Sequence, residues 1–293
     1  MSQSDLFTLP DRGVIMLAGA DAQTWLDNLI TNDLTSLAPG SPSVFAGLLS
    51  PQGKLLFEFF VQAHGDGLLL ETFAASIPAL MKRLSLYKLR ASVTLRDAST
   101  EWVAVCAPRP DRAGDPAISD GVIVSADPRT SRLWRGLVTP AIAATLPAAI
   151  VYHSARVGLG IAEAPHDYAL GDVFPHEANF DQVHGVSFTK GCFVGQEVVA
   201  RMQNKSVVRK RVVRVSAATD LVSGTDLTIG DAVIGKLGTV AGSDGLALLR
   251  LDRAAEALKA GQLIRAGSIP VTIDASALAL YGATAANRPV HDL

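Results

Sequence analysis

The sequence predicts an α+β protein that ends in a small all-β unit, and three observations carry that expectation. Short runs of β-forming residues alternate with helical periodicities over the first two hundred positions. From Val207 the texture changes to β-like runs divided by glycine-bearing turns, as in a small barrel or sandwich. The 293 residues are 48% hydrophobic and 18% charged, which is enough apolar material for a large core and too much for a disordered chain.

The elements follow in order. Asp21 is a fitting N-cap for a helix in which Trp25, Leu26, Leu29 and Ile30 share one face, ending near Thr31, Asn32 and Asp33. Residues 44–49 and 54–61 are strands joined by the turn Ser50-Pro51-Gln52-Gly53, so they form a hairpin. Residues 68–70 make the next strand, Ile77, Leu80, Met81 and Leu84 recur at helical spacing, and residues 92–95 and 101–107 are again strands. The stretch 108–120, rich in Pro, Asp and Gly, reads as an exposed loop. Cys106 sits inside a strand pattern and reads as a small buried apolar residue. Further strands are expected at 207–216, 232–240, 246–251 and 269–273, and a loosely ordered tail from Gly282. The chain is thus divided into an α+β domain at 1–205, a β unit at 206–283 and a tail at 284–293.

A net charge of -2 argues against a protein whose main task is to coat nucleic acid. No basic cluster precedes an apolar run in residues 1–10, and the apolar stretch 14–17 is far shorter than the roughly 20 residues of a membrane span. A cytoplasmic protein with no membrane partner is expected. The two cysteines, Cys106 and Cys192, support no disulfide framework and fit a reducing compartment.

Residues 187–201 read Ser-Phe-Thr-Lys-Gly-Cys-Phe-Val-Gly-Gln-Glu-Val-Val-Ala-Arg. With a helix beginning near Gly195, Cys192 stands just ahead of free backbone N–H groups and a helix dipole that favour an anionic sulfur. Lys190 adds a second positive influence, while Gly191 and Gly195 keep side chains off the sulfur. The residues alone support two readings, an exposed reactive thiol or an inert turn cysteine.

This string resembles the K-G-C-[FY]-x-G-Q-E signature of the folate-binding-like proteins of the YgfZ type, with Lys190, Gly191, Cys192, Phe193, Gly195, Gln196 and Glu197 at its fixed positions. Residues 19–33 resemble the amino-terminal segment of the same family and of its enzyme relative, the glycine-cleavage aminomethyltransferase. Residues 156–161, 175–180 and the β tail are similar too, so the likeness spans nearly the whole chain. It implies a ring-like arrangement of α/β subdomains followed by a β-barrel, and a role in assembly or repair of iron-sulfur clusters for four-iron four-sulfur client proteins. The partner it implies is an A-type iron-sulfur carrier. A cluster normally needs about four ligands and this chain offers one credible cysteine, so any cluster must be shared, with Cys192 contributing one thiolate. The histidines His64, His153, His166, His176, His184 and His291 show no spacing such as H-E-x-x-H and read as surface or core-edge residues. No stable metal site is expected in the isolated protein.

The resemblance also implies tetrahydrofolate. A pterin's adjacent N–H donors suit a carboxylate and its glutamyl tail needs a cation. Glu177 resembles the position of the aminomethyltransferase's pterin-binding glutamate, and Arg156 and Arg201 are candidates for the tail, each equally readable as a structural ion pair. The chain departs from the enzyme in the hairpin, where Phe57 replaces one member of an acidic pair and only Glu58 remains. An apolar group cannot orient an amine or relay a proton. Folate-dependent aminomethyl transfer is therefore the secondary reading, and turnover catalysis is not expected. Lys205, Arg209, Lys210, Arg211 and Arg214 form either an RNA-contacting strip or a strand with solvated cations, and the acidic balance favours the strand.

Overall fold

A computed structural model describes residues 6–109, 118–119, 121–148, 151–205 and 207–286. The chain divides into two compact units, the first from Met1–Pro51, Leu55–Tyr152 and Val183–Gln196, the second from Gln52–Lys54, His153–Gln182 and Glu197–Leu293.

The first unit holds two five-stranded antiparallel sheets. One contains β2 (Arg12–Ala18), β3 (Val44–Leu49), β4 (Leu55–His64), β5 (Gly67–Phe73) and β6 (Thr94–Asp97), in the order β3-β4-β5-β2-β6. The other contains β1 (Phe7–Thr8), β7 (Val103–Pro108), β8 (Ile118–Ser119), β9 (Val122–Ala126) and β10 (Leu133–Val138), in the order β1-β7-β10-β9-β8. Helices α1 (Ala22–Asp27) and α2 (Ile77–Lys88) accompany the first sheet, and α3 (Pro140–Ala143) follows the second. Leu26, Ile77, Leu80 and Leu84 from the helices pack with Ile15, Leu17, Phe59, Val61 and Leu70 from the strands. Because side chains alternate along a strand, Phe59 and Val61 facing this core send Glu58, Phe60 and Gln62 to the other side of β4.

That second face is polar and buried. The Glu71 carboxylate accepts from Arg12 Nε at 2.7 Å and from Arg135 Nε and Nη2 at 2.8 and 2.6 Å. Arg12 and Glu71 belong to one sheet and Arg135 to the other, so the carboxylate ties the sheets together. Arg129 grips Asp127 through Nε and Nη2, and both Arg129 and Arg135 donate to the Tyr152 hydroxyl at 3.0 and 2.7 Å. The Phe60 ring lies under all three guanidiniums, with centroid distances of 4.1 Å to Arg135, 4.7 Å to Arg129 and 5.9 Å to Arg12. Charge pairing and the aromatic face offset the desolvation of these groups. Burial by itself pushes the Glu71 carboxyl up, but Arg135 and Arg12 more than reverse this and hold it below the usual range.

The predicted hairpin, the helix at α2 and the buried strand position of Cys106 are all present. Helix α1 is shorter than its periodicity suggests. It stops at Asp27, Leu29 lies in a turn, and Ile30 forms a bridge with Leu48, so tertiary pairing overrides the helical spacing. Asp21 occupies the N-cap position, yet its carboxylate accepts the Ser92 N–H at 2.7 Å instead of capping the helix. Much of the expected loop 108–120 lies outside the described residues, and Ile118–Ser119 within it is a strand.

The second unit contains α4 (Tyr152–Leu159), α5 (Gln196–Lys205) and a closed barrel of β11 (Lys210–Ala217), β12 (Asp226–Ile229), β13 (Ala232–Ala241), β14 (Asp244–Arg250), β15 (Ile264–Ala266) and β16 (Ile269–Ile273). Closure is made by β11, which pairs with both β14 and β16. Sequence reasoning left barrel and sandwich open and missed β12 and β15, which are three or four residues long. It also missed α6 (Leu251–Lys259), whose Leu251, Ala254 and Ala257 are buried on one face. Helix α7 (Ala275–Ala286) runs through Gly282, where a loose tail was expected.

Glu71→Gln is expected to cost about 3–5 kcal/mol by leaving buried guanidiniums uncompensated. Chemical denaturation at neutral pH measures this, and a loss below about 1 kcal/mol would show that the sheets do not depend on the carboxylate.

Candidate functional site

The stretch Val183–Gln196, which carries Cys192, is stitched to the loop after α1. The Thr31 hydroxyl donates to the Gly185 carbonyl at 2.6 Å and accepts the Gly47 N–H at 2.8 Å. Asn32 Nδ2 donates to the carbonyls of Phe45 and His184 at 2.8 and 2.6 Å, and the Ser187 N–H donates to the Thr31 carbonyl at 2.9 Å. The two segments that suggested a family in the sequence, 19–33 and 187–201, therefore meet.

Lys190 is the centre of this junction. Its side chain is only 1% exposed, and Nζ donates to the carbonyls of Asp27, Ile30 and Asn32 and to Asp27 Oδ1. A cation placed on the last carbonyls of a helix satisfies acceptors that the helix leaves open. Burial holds the ammonium below the usual lysine range, against the opposing pull of Asp27 and Asp33. This corrects the expected role beside Cys192: Lys190 anchors its segment, and its donors are committed to α1 and the loop that follows.

Cys192 itself is exposed. Beyond it, Phe193 is buried, Val194 packs against the core of the first unit, and the Lys190 ammonium stands 5.7 Å from the Phe193 ring centroid. The segment is thus fastened on both sides of Gly191 and Cys192, which remain at the surface. Gln196 opens α5, with its N–H on the Phe193 carbonyl at 3.2 Å and its side-chain amide on the Gly191 carbonyl at 3.4 Å. Gly195 has a φ of +81°, a conformation that costs other residues about 1–2 kcal/mol. Gly191 has no such backbone, and a Cβ added there would meet nothing within 4 Å among the described residues. Glu197 is exposed in the first turn of α5.

The expected folate residues, Glu177, Arg156 and Arg201, all belong to the second unit. Arg156 is wholly buried, donating to the Ile161 carbonyl, Asp167 Oδ2, the Thr239 hydroxyl and His153 Nδ1. It is a structural ion pair and cannot meet an anionic tail. Arg201 is exposed on α5. Glu177 is half-buried, and its Oε2 accepts the Phe174 N–H at 2.8 Å. The full set does not fit a folate, since the buried cation assigned to its tail is already satisfied. In the basic strip, Arg211 is also buried, bidentate on Asp181 at 2.8 and 2.7 Å, and Arg214 donates to the Gly158 carbonyl and pairs with Asp274. These contacts break the run expected of an RNA-contacting strand.

One histidine departs from expectation. His176 is buried, not at a core edge, with Nε2 on Gln203 Oε1 at 3.0 Å. Burial holds its imidazole below the usual range, although Asp181 and Gln203 pull the other way. His153 and His166 stack edge to face at 5.1 Å, a proximity that their separation of 13 positions does not signal.

The architecture is similar to that of the glycine cleavage system aminomethyltransferase T from Bartonella henselae, with a TM-score of 0.70 over 92% of this chain and 84% of that one. Only 14% of aligned residues are identical, so the class defined is an aminomethyltransferase-like fold. Residues 209–278 match the CAF17 C-terminal beta-barrel domain family. The human mitochondrial iron-sulfur cluster assembly factor IBA57 is 34% identical over 272 residues, covering 83% of this chain and 76% of the relative. The Mycosarcoma maydis IBA57 homolog is 35% identical over 230 residues, covering 72% of this chain and 57% of that longer relative. The chain belongs to the IBA57 family, as the resemblance of Lys190 to Glu197 and of residues 19–33 implied.

Lys190→Met is expected to lower stability by about 2–4 kcal/mol, because several buried acceptors lose their donor. Cys192→Ser should stay within about 0.5 kcal/mol of the parent in the same denaturation assay. Because the His176 pKa is lowered on folding, the unfolded chain binds more protons below about pH 6.5. Its contribution to stability is therefore complete above that pH and lost as pH falls toward the folded pKa. A melting-temperature series from pH 7.5 to 5 should flatten in His176→Gln, and an unchanged slope would remove His176 as the cause.

Proposed function

We propose that this chain is an assembly factor for iron-sulfur clusters and acts by lending the Cys192 thiolate to a cluster held jointly with an A-type carrier. The observation that carries the reading is the exposure of Cys192 on a segment fastened by Lys190 on one side and by Phe193 and Val194 on the other. The human and fungal relatives are named iron-sulfur cluster assembly factors, which supports the same role here. Among the described residues the other cysteine, Cys106, is buried, so one thiolate is what this chain offers and the carrier supplies the rest. The cluster is cargo that passes on to four-iron four-sulfur client proteins.

The proposal keeps tetrahydrofolate as a ligand on Glu177 and Arg201, without Arg156 and without a chemical step routed through it. Aminomethyl transfer remains the second reading, supported by the fold and Glu177, and weakened by Phe57, which packs against the core of the first unit. We place the protein in the cytoplasm, where a reducing pool keeps an exposed thiol free. The relatives' names place those proteins in mitochondria. Among the described residues no helix is long and apolar enough to cross a membrane.

Reconstitution with iron and sulfide tests the reading. Visible absorption should show a cluster in the mixture of this protein with an apo A-type carrier that the carrier alone does not show, and Cys192→Ser should remove it. A spectrum indifferent to Cys192 would sink shared ligation and bring the transferase reading forward.

A further inference from the structure

The surface at the end of α2 is unusual in combining exposed leucines with unpaired cations. Leu86 is 64% exposed and Leu89 is 89% exposed. Lys82 and Arg90 beside them are exposed, and Arg83 and Lys88 are half-buried. None of these four cations has an ion pair or hydrogen bond among the described residues. Glu101 is paired with Arg96, while Asp21 and Asp97 accept the backbone N–H groups of Ser92 and Ser99, and none of the three forms an ion pair with the patch cations. Four cations without an ion-pair partner among the described residues thus stand together on a chain whose net charge is -2.

Leu89 adds an independent observation. It is the C-cap of α2 and has a φ of +43°, in the left-handed region that favours glycine. A leucine there is strained and, at 89% exposure, gains little packing within the chain in return. Its side chain is held out by a helix whose inner face is fixed through Ile77, Leu80 and Leu84.

The patch is coupled to the cysteine motif through α1. Trp25 Nε1 donates to the Tyr87 carbonyl at 3.1 Å, and the Asp21 carboxylate holds the Ser92 N–H, so α1 is fastened to the last turn of α2 and to the segment after it. The last carbonyl of the same helix is held by Lys190. Six residues of α-helix span about 9 Å. Helix α1 is thus the element that touches both the segment bearing the leucines and the lysine that anchors the cysteine motif.

We propose that Leu86 and Leu89, rimmed by Lys82, Arg83, Lys88 and Arg90, are the docking surface for an acidic protein partner with an apolar recess that receives the leucines. This deepens the shared-cluster proposal and rests on it, because the partner meant is the carrier whose thiolates join Cys192. Unpaired cations steer an acidic surface and make association salt-sensitive, while desolvated apolar anchors set the lifetime of the complex.

The test is a titration of the full-length chain with purified apo A-type carrier, at low and high salt, followed by cluster reconstitution in the same mixtures. Leu86→Ser with Leu89→Gly should weaken binding at least tenfold, and Lys82→Glu with Arg90→Glu should do so at low salt. Leu89→Gly relieves backbone strain, so its melting temperature should equal or exceed the parent's, which separates lost docking from lost folding. Cys192→Ser should bind carrier as the parent does and yet form no cluster. Equal affinity and equal cluster yield in the patch variants would overturn the docking surface while leaving the shared-cluster reading intact. Failure of the parent to bind carrier or form a cluster would overturn both. Binding of vesicles or RNA lost in the patch variants, with carrier binding unchanged, would assign the surface to another occupant and also overturn the proposal.

Discussion

The first unit depends on the ionic contact of Glu71 with Arg12 and Arg135. A carboxylate buried between two sheets would be costly alone, and so would each guanidinium. Together, with the Phe60 face beneath the cations and Tyr152 accepting two further hydrogens, they form a layer in which the charges satisfy one another. Oil-like contact between sheets would tolerate sliding, because apolar surfaces carry little directional information. Bidentate guanidinium geometry does not, so the register of β10 against β2 and β5 is fixed by direction as well as by burial.

The cysteine motif applies the same principle at the surface. The chain around Cys192 has few apolar contacts of its own beyond Phe193 and Val194, and a loop of that kind would ordinarily move. Lys190 supplies the missing order by gathering the Asp27 carbonyl at the end of α1 and those of Ile30 and Asn32 in the loop beyond it. The short helix and the buried lysine are therefore one device: had α1 continued to Asp33, as its periodicity suggests, the Asp27 carbonyl would have been taken by the Thr31 N–H instead of Lys190.

Strongly periodic elements were legible from the residues alone. The hairpin, α2 and the longer barrel strands carry their own patterns, and the family was readable because Lys190 to Glu197 and residues 19–33 are long, ordered strings. What escaped was whatever depends on distant partners. Nothing local distinguishes Arg156, sealed against Asp167, from Arg201, which is exposed, or marks Lys190 as an anchor instead of an activator. Arg211 looked like one cation in a row until Asp181 was seen against it. Strands β12 and β15 are too short to show alternation, and α6 is recognisable only once its buried face is known.

The contrast between the two glycines of the motif bears on what surrounds the sulfur. Gly195 is dictated by its own backbone, which admits few other residues. At Gly191 the fold makes no such demand: an added methyl would project into open space among the described residues. A position that the chain itself leaves permissive, yet fills with its smallest residue, is shaped by clearance. Glycine there keeps the approach to the exposed Cys192 sulfur free of any side chain from its immediate neighbour.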